Sequence, residues 1–179
     1  MTSPVSGPAV VLIGSPGAGK STVGRRVAKR LGVDFLDSDA EIEREAGMSV
    51  SDIFVTEGEA AFRDREAATV RSCLETHQGV LSLGGGAVLR EETREALAGH
   101  RVVWLRVSLS DAAARVGMNT ARPLLLGNVR GTLGAMLEQR NPIYQEVSTD
   151  VVDTSGRTLR QVVDVVVAAL EAEPGQGTV

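Results

Sequence analysis

Cysteine is nearly absent: Cys73 is the only one in 179 residues, so no internal disulfide can staple the fold. It falls within a helical pattern and reads as a small core residue rather than a nucleophile. Aromatic side chains are scarce too, at 3% of the chain, while hydrophobic residues, mostly Val, Leu and Ala, make up 42%. That aliphatic bias suits a parallel sheet buried on both faces by helices. No apolar run is long enough to span a bilayer, and residues 1–8 lack the basic and apolar segments of a secretion signal. The expectation is a cytoplasmic protein with no membrane partner. Positive charge is not in excess either. With 19 basic against 23 acidic residues the formal net charge is −4, which gives the whole molecule no electrostatic footprint for nucleic acid. A local basic pocket is compatible with that balance. No internal repeat is visible. The length fits one domain with a full core, placed at 1–173, and a polar tail at 174–179 expected to be flexible.

What is present is concentrated first in Gly14-Ser15-Pro16-Gly17-Ala18-Gly19-Lys20-Ser21, which fits the phosphate-binding pattern G-x-x-x-x-G-K-[ST]. The flanks agree: Ala9 to Ile13 reads as a buried strand and Ser21 to Leu31 as a helix. Gly14, Gly17 and Gly19 let the backbone present N–H groups inward, at a helix N-terminus whose dipole favours an anion. Ala18, Thr22 and the loop glycines would cradle a nucleotide triphosphate. Lys20 would reach its β- and γ-phosphates, and the Ser21 hydroxyl could ligate Mg²⁺. A glycine-rich turn with an incidental lysine would not be expected to carry both flanks.

Along the chain, strands alternate with helices, which predicts an α/β fold with a five-stranded parallel sheet flanked by helices on both faces, a three-layer sandwich. Val33 to Leu36 is a second strand ending at Asp37-Ser38-Asp39, where ligands collect in open α/β sheets. Helices are expected at 40–46, 49–57 and 59–76. The last has an apolar stripe of Phe62, Ala67, Val70 and Leu74. Val80 to Leu83 is a third strand, followed by Gly84-Gly85-Gly86. Another helix, 91–98, precedes a fourth strand, 102–107. Ser110 looks like the N-cap of a helix over 111–116. From Gly117 to Gly127 no period holds, and a lid is expected at about 115–127. A helix over 133–140 meets Pro142, which begins or kinks a further turn. A strand at 150–153 and a helix at 158–172 complete the pattern. His77 and His100 flank turns and read as surface residues without a role.

The guanine-reading motif Asn-Lys-x-Asp is missing, which weakens a GTPase reading, and 179 residues leave little room for a motor. The third strand also ends in glycines, where many phosphate-loop proteins place an Asp for Mg²⁺. Asp37 and Asp39 are the nearest candidates for that work.

These stretches together resemble the shikimate kinase family over about Val10 to Leu170. The markers are Gly14 to Thr22, Asp37-Ser38-Asp39, Glu57-Gly58-Glu59-Ala60-Ala61-Phe62-Arg63 with Glu66, Leu83-Gly84-Gly85-Gly86-Ala87, Asn119-Thr120-Ala121-Arg122-Pro123-Leu124-Leu125 and Arg140-Asn141-Pro142-Ile143-Tyr144. The resemblance implies transfer of a phosphoryl group from MgATP to the 3-hydroxyl of shikimate, in the route to aromatic amino acids, by a monomer. It implies that Asp39 holds the attacking hydroxyl, that Arg63 and Arg140 grip the carboxylate, and that Gly84, Gly85 and Gly86 complete the substrate site. Phe54 and Phe62 would wall the pocket. Asp37 would orient Mg²⁺ through its water, with Ser82 in place of the third-strand acid. Arg122 would lie in the lid, and Arg115 and Pro123 on the nucleotide side. Met118, where the family often has glycine, and Thr154-Ser155-Gly156-Arg157, a loose match on the adenine side, depart from the pattern.

On the residues alone, other readings stay open. Arg63 and Glu66 could be an ordinary i,i+3 surface pair, Asp37 a helix cap, Arg140 a helix-end cation and Phe54 a core residue. Gluconate kinase and nucleoside monophosphate kinases share the loop, and a nucleotide-binding module without turnover is the alternative from another class.

Overall fold

The computed structural model describes residues 7–118 and 126–175. The chain runs β1 (Val10–Ile13), α1 (Lys20–Leu31), β2 (Phe35–Asp37), α2 (Ser38–Ala46), α3 (Val50–Glu57), α4 (Glu59–Thr76) and β3 (Val80–Ser82). A 3₁₀ turn (Ala87–Leu89) leads to α5 (Glu91–Leu97), β4 (Val102–Arg106), α6 (Leu109–Met118), α7 (Leu126–Val147), β5 (Asp150–Asp153) and α8 (Leu159–Glu171). The strands form one parallel sheet in the order β2-β3-β1-β4-β5, the expected α/β architecture.

Strand β1 is buried throughout because its alternate side chains serve opposite faces of the sheet. Val10 and Leu12 join Val23 and Val27 of α1, Ala112 of α6 and Val166 of α8. Val11 and Ile13 join Val70 of α4, Leu97 of α5 and Tyr144 of α7. A smaller core of Ile42, Ile53 and Phe62 ties α2, α3 and α4 together beside the sheet. Ser82 pairs in register with both Leu12 and Asp37. The loops that follow β1, β2 and β3 therefore emerge side by side, at the carboxyl edge where open α/β sheets bind ligands.

Two local expectations are corrected. Helix α6 begins at Leu109, before Ser110, and the Ser108 hydroxyl accepts the Asp111 N–H at 3.2 Å. Ser108 lies two positions beyond the strand, so the cap falls where the chain leaves the sheet. Helix α7 starts at Leu126, inside the stretch expected to be irregular, and runs unbroken past Pro142. A proline inside a helix costs about 3 kcal/mol. Leu133, Leu137 and Tyr144 are buried along the helix, and each such side chain contributes roughly 1.5–3 kcal/mol, which outweighs the local cost. His77 and His100 are half-buried rather than on the surface, and His77 Nε2 lies 3.1 Å from the Val80 carbonyl oxygen.

Candidate active site

The turn between β1 and α1 is built on backbone geometry that only glycine adopts freely. Gly17 and Gly19 have φ of 82° and 85°, and Gly19 is the left-handed N-cap of α1. Ala18 turns its methyl into the core, which leaves the loop backbone facing out. A cavity of about 460 Å³ opens over it, lined by Gly17, Gly19, Lys20, Ser21 and Thr22 on one side and by Asp37, Asp39, Ser82, Gly84 and Gly85 on the other. Lys20 Nζ donates to the Gly14 and Ser15 carbonyls at 2.7 and 3.1 Å. Burial lowers its ammonium from 10.5 to about 8, against the opposing pull of Asp39 and Asp37, with Arg140 adding to the fall.

Asp37 does two jobs at the end of β2. Its Oδ1 caps α2 by accepting the N–H groups of Asp39 and Ala40, and its Oδ2 accepts the Ser21 hydroxyl at 2.6 Å. The helix-capping alternative is therefore present, and the same carboxylate also reaches the phosphate loop through Ser21. Asp39, in the first turn of α2, has its carboxyl pushed up by burial and by the Asp37 charge, with Lys20 working the other way. Its Oδ1 is buried with no hydrogen-bond partner among the described residues.

The glycine triplet is needed because side chains crowd it. A β-carbon on Gly84 would lie 2.6 Å from Asp39 Oδ1, and one on Gly86 would run into the Arg63 guanidinium. On Gly85 it would lie 3.1 Å from Pro16 Cδ and 3.4 Å from Arg140 Nη1. Asp39, Arg63 and Arg140 thus converge on one turn, although the sequence spreads them over about a hundred residues. Arg63 Nη1 donates to Glu66 Oε2 at 2.6 Å, and the Glu66 side chain is only 2% exposed. Burial raises the Glu66 carboxyl while Arg63 opposes the rise. This is not the surface pair that i,i+3 spacing usually gives. Arg63 Nε and Arg140 Nε are buried without hydrogen-bond partners among the described residues, which leave neither fork fully satisfied.

Phe62 belongs to the small core, and half-buried Phe54 packs against it at a ring separation of 4.6 Å. Arg63 lies over both rings, 5.3 Å from Phe62 and 5.9 Å from Phe54. Neither ring lines the cavity above the phosphate loop, and nor does Arg63. On the opposite side, Arg115 donates to the Gly17 carbonyl at 2.9 Å and reaches Thr154 at 3.4 Å. A smaller cavity of about 300 Å³ lies there, lined by Thr22, Arg115, Thr154, Arg157 and Leu159. Arg122 and Pro123 fall outside the described residues.

Two residues of the site lie in the marker stretches but were given no role of their own in the sequence. Ser38, fully buried, accepts the Gly84 N–H on its hydroxyl at 3.1 Å. Tyr144 donates to the Gly85 carbonyl at 2.5 Å. Tyr144 carried a faint signal, being the one tyrosine of the chain and one helical turn from Arg140. Ser38 carried none, since its partner is 46 positions away.

Comparison with known proteins agrees with this geometry. The family model described as shikimate kinase matches residues 16–171. A shikimate kinase from Thermobifida fusca is 59% identical over 93% of this chain and 97% of its own. The structure of the Acinetobacter baumannii shikimate kinase in complex with shikimate superposes with a TM-score of 0.82 and 36% identity, covering 90% of each chain. A gluconokinase from Sinorhizobium meliloti, at 24% identity and a TM-score of 0.63 over 93% of each chain, shares the fold alone. The chain belongs to the shikimate kinase family and is an ATP-dependent kinase.

Proposed function

We propose that this enzyme transfers the γ-phosphoryl group of ATP to the 3-hydroxyl of shikimate, giving shikimate 3-phosphate and ADP on the route to aromatic amino acids. The observation that carries the reading is the convergence, on the glycine turn beside the phosphate loop, of two arginines and one aspartate oxygen that the described residues leave incompletely hydrogen-bonded. A hydroxylated acid meets those needs: planar guanidinium forks suit a carboxylate, and Asp39 Oδ1 suits a hydroxyl.

Phosphoryl transfer calls mainly for positioning and neutralisation of charge. In this reading Lys20 leaves its carbonyl partners for the phosphate oxygens, and the loop N–H groups hold the β-phosphate side. Asp39 orients the attacking hydroxyl. Its raised carboxyl also suits a group that takes up the proton as the bond to phosphorus forms. Arg122 is kept as the lid cation on the strength of the family resemblance, as is Pro123 beside Arg115 on the nucleotide side.

The donor set also fits Mg²⁺. Ser21 and Asp37 offer a hydroxyl and a carboxylate oxygen 2.6 Å apart, and among the described residues no three His, Cys, Asp or Glu side chains form a metal cluster. Such a site suits an ion that keeps waters and arrives with phosphates. When bound, it supplies charge neutralisation along the triphosphate. The same reading takes the enzyme as a cytoplasmic monomer acting on free small molecules; no helix among the described residues is long and apolar enough to cross a membrane.

The test is coupled ATP turnover with shikimate, gluconate, AMP, CMP and UMP offered in parallel. Turnover with shikimate at least about 10³-fold above the others in kcat/KM is expected, since the nucleotides carry no carboxylate and gluconate, though a hydroxylated acid, is a flexible open chain that does not hold acid and hydroxyl at one fixed separation. Preference for gluconate or a nucleotide would overturn the assignment. MgATP binding without turnover across the panel would favour the binding module.

A further inference from the structure

Tyr144 is 1% exposed, and its ring packs on Trp104 at 5.8 Å between centroids. A phenylalanine would fill the same space, so the hydroxyl needs its own reason to be there. That reason lies in the hydrogen bonds of the glycine turn. The Gly84 carbonyl accepts the Ala87 N–H at 3.1 Å, and the Gly86 carbonyl accepts the Leu89 N–H at 3.0 Å. The Gly84 N–H is held by Ser38. The Gly85 carbonyl is held by the Tyr144 hydroxyl and, among the described residues, by nothing else.

A peptide group is a rigid plane, so fixing the Gly85 carbonyl also fixes the direction of the Gly86 N–H. Between two glycines no side chain would otherwise resist rotation of that plane. The N–H groups of Gly85 and Gly86 make no hydrogen bond among the described residues, so they are free to serve a ligand. Tyr144 also follows Arg140 by one turn of α7, on the same helix face. The Arg140 guanidinium borders the same turn, its Nη1 3.4 Å from where a β-carbon on Gly85 would lie, and its charge opposes the rise that burial imposes on the phenol.

We propose that Tyr144 is a positioning residue for the acid-binding side of the site. Its hydroxyl holds the Gly85–Gly86 peptide and the Arg140 guanidinium in one relation, so that amide and guanidinium meet the same carboxylate. The inference rests on the reading of Arg140 as a carboxylate-binding group.

Tyr144→Phe keeps the ring and removes only the bond. KM for shikimate should rise about tenfold, the size expected for one lost buried hydrogen bond. KM for ATP should stay within about twofold, because the phosphate loop is untouched. Emission of Trp104, the one tryptophan of the chain, should be unchanged, which certifies that the ring still packs. In an Arg140→Ala background the same change should raise KM for shikimate less than in the parent, because the amide and the guanidinium it aligns act on the same carboxylate. An unaltered KM for shikimate in the single variant overturns the proposal. So does an equal rise in both KM values, the mark of a loosened fold, or full additivity with Arg140→Ala. Failure of the underlying reading is separate: Arg140→Ala would itself retain parental kcat/KM.

Discussion

The Ser21 hydroxyl donates to Asp37 Oδ2 at 2.6 Å while Asp37 Oδ1 accepts the Asp39 N–H at 3.0 Å, so one carboxylate links the phosphate loop to the residue expected to hold the attacking hydroxyl. Asp37→Asn separates its two jobs. Asparagine caps helices as well as aspartate, so Tm should change little. The lost charge should raise the Mg²⁺ concentration needed for half-maximal turnover by about 10–100-fold. Titration of activity with Mg²⁺, beside a thermal melt, checks both. A collapsed Tm with unchanged Mg²⁺ dependence would reduce Asp37 to a cap.

Lys20 sets a pH window. Its ammonium titrates near 8 in the folded protein against an ordinary 10.5, so the free enzyme loses this charge as pH rises through about 8. A bound triphosphate favours the charged form, and nucleotide binding should therefore take up a proton between about pH 8 and 10.5. KM for ATP should climb above pH 8, approaching tenfold per unit. Calorimetry of ADP binding in two buffers of different ionisation enthalpy reads the proton directly. Lys20→Met should abolish the uptake and cut kcat by at least about 10²-fold, on the order of 3 kcal/mol in the barrier. A flat KM from pH 7 to 9.5 would refute the shifted ammonium.

The phosphate loop and the alternation of strands with helices were legible because each depends on residues close in sequence. Gly17 and Gly19 announce a backbone that turns through positive φ, and the Val-rich strands announce a buried sheet. Pro142 misled because local propensity opposes the helix there, while burial of Leu133 and Tyr144, decided elsewhere in the fold, favours it. Ser38 and Tyr144 were out of reach for a related reason: their partners, Gly84 and Gly85, come close only once β2, β3 and α7 are assembled. The glycine triplet itself was visible, but not that its missing side chains make room for Asp39, Arg140 and Arg63.

That packing makes Gly86→Ala a sharp probe. The added methyl would meet an Arg63 guanidinium already held by Glu66 and backed by two aromatic rings, so it cannot move aside cheaply. Overpacking of this kind costs about 1–3 kcal/mol. A modest loss in Tm is expected together with a rise of at least about tenfold in KM for shikimate, and ATP binding should be spared. Unchanged shikimate kinetics would mean that Arg63 does not need its present position.

The carboxylate clamp is tested by removing its cations one at a time. Arg63 and Arg140 both border the glycine turn, and each has a buried Nε without a hydrogen-bond partner among the described residues. A partly dry ion pair is worth more than a surface one, so Arg63→Ala or Arg140→Ala should each cost roughly 2–4 kcal/mol in kcat/KM for shikimate with little change in KM for ATP. Their effects should fall short of additive, since both act on the same group. A shikimate analogue with a neutral amide in place of the acid should be a poor substrate for the parent and should lose much less on either substitution. Asp39→Asn should differ in kind: it keeps size and some hydrogen bonding, so binding should survive better than turnover. The arginines need separate treatment because Arg63 also balances the buried Glu66 charge. Arg63→Ala should therefore lower Tm as well, whereas Arg140, which forms no ion pair among the described residues, should lower kcat/KM with a smaller stability loss. Full activity of either variant with shikimate, or equal use of acid and amide by the parent, would exclude the clamp.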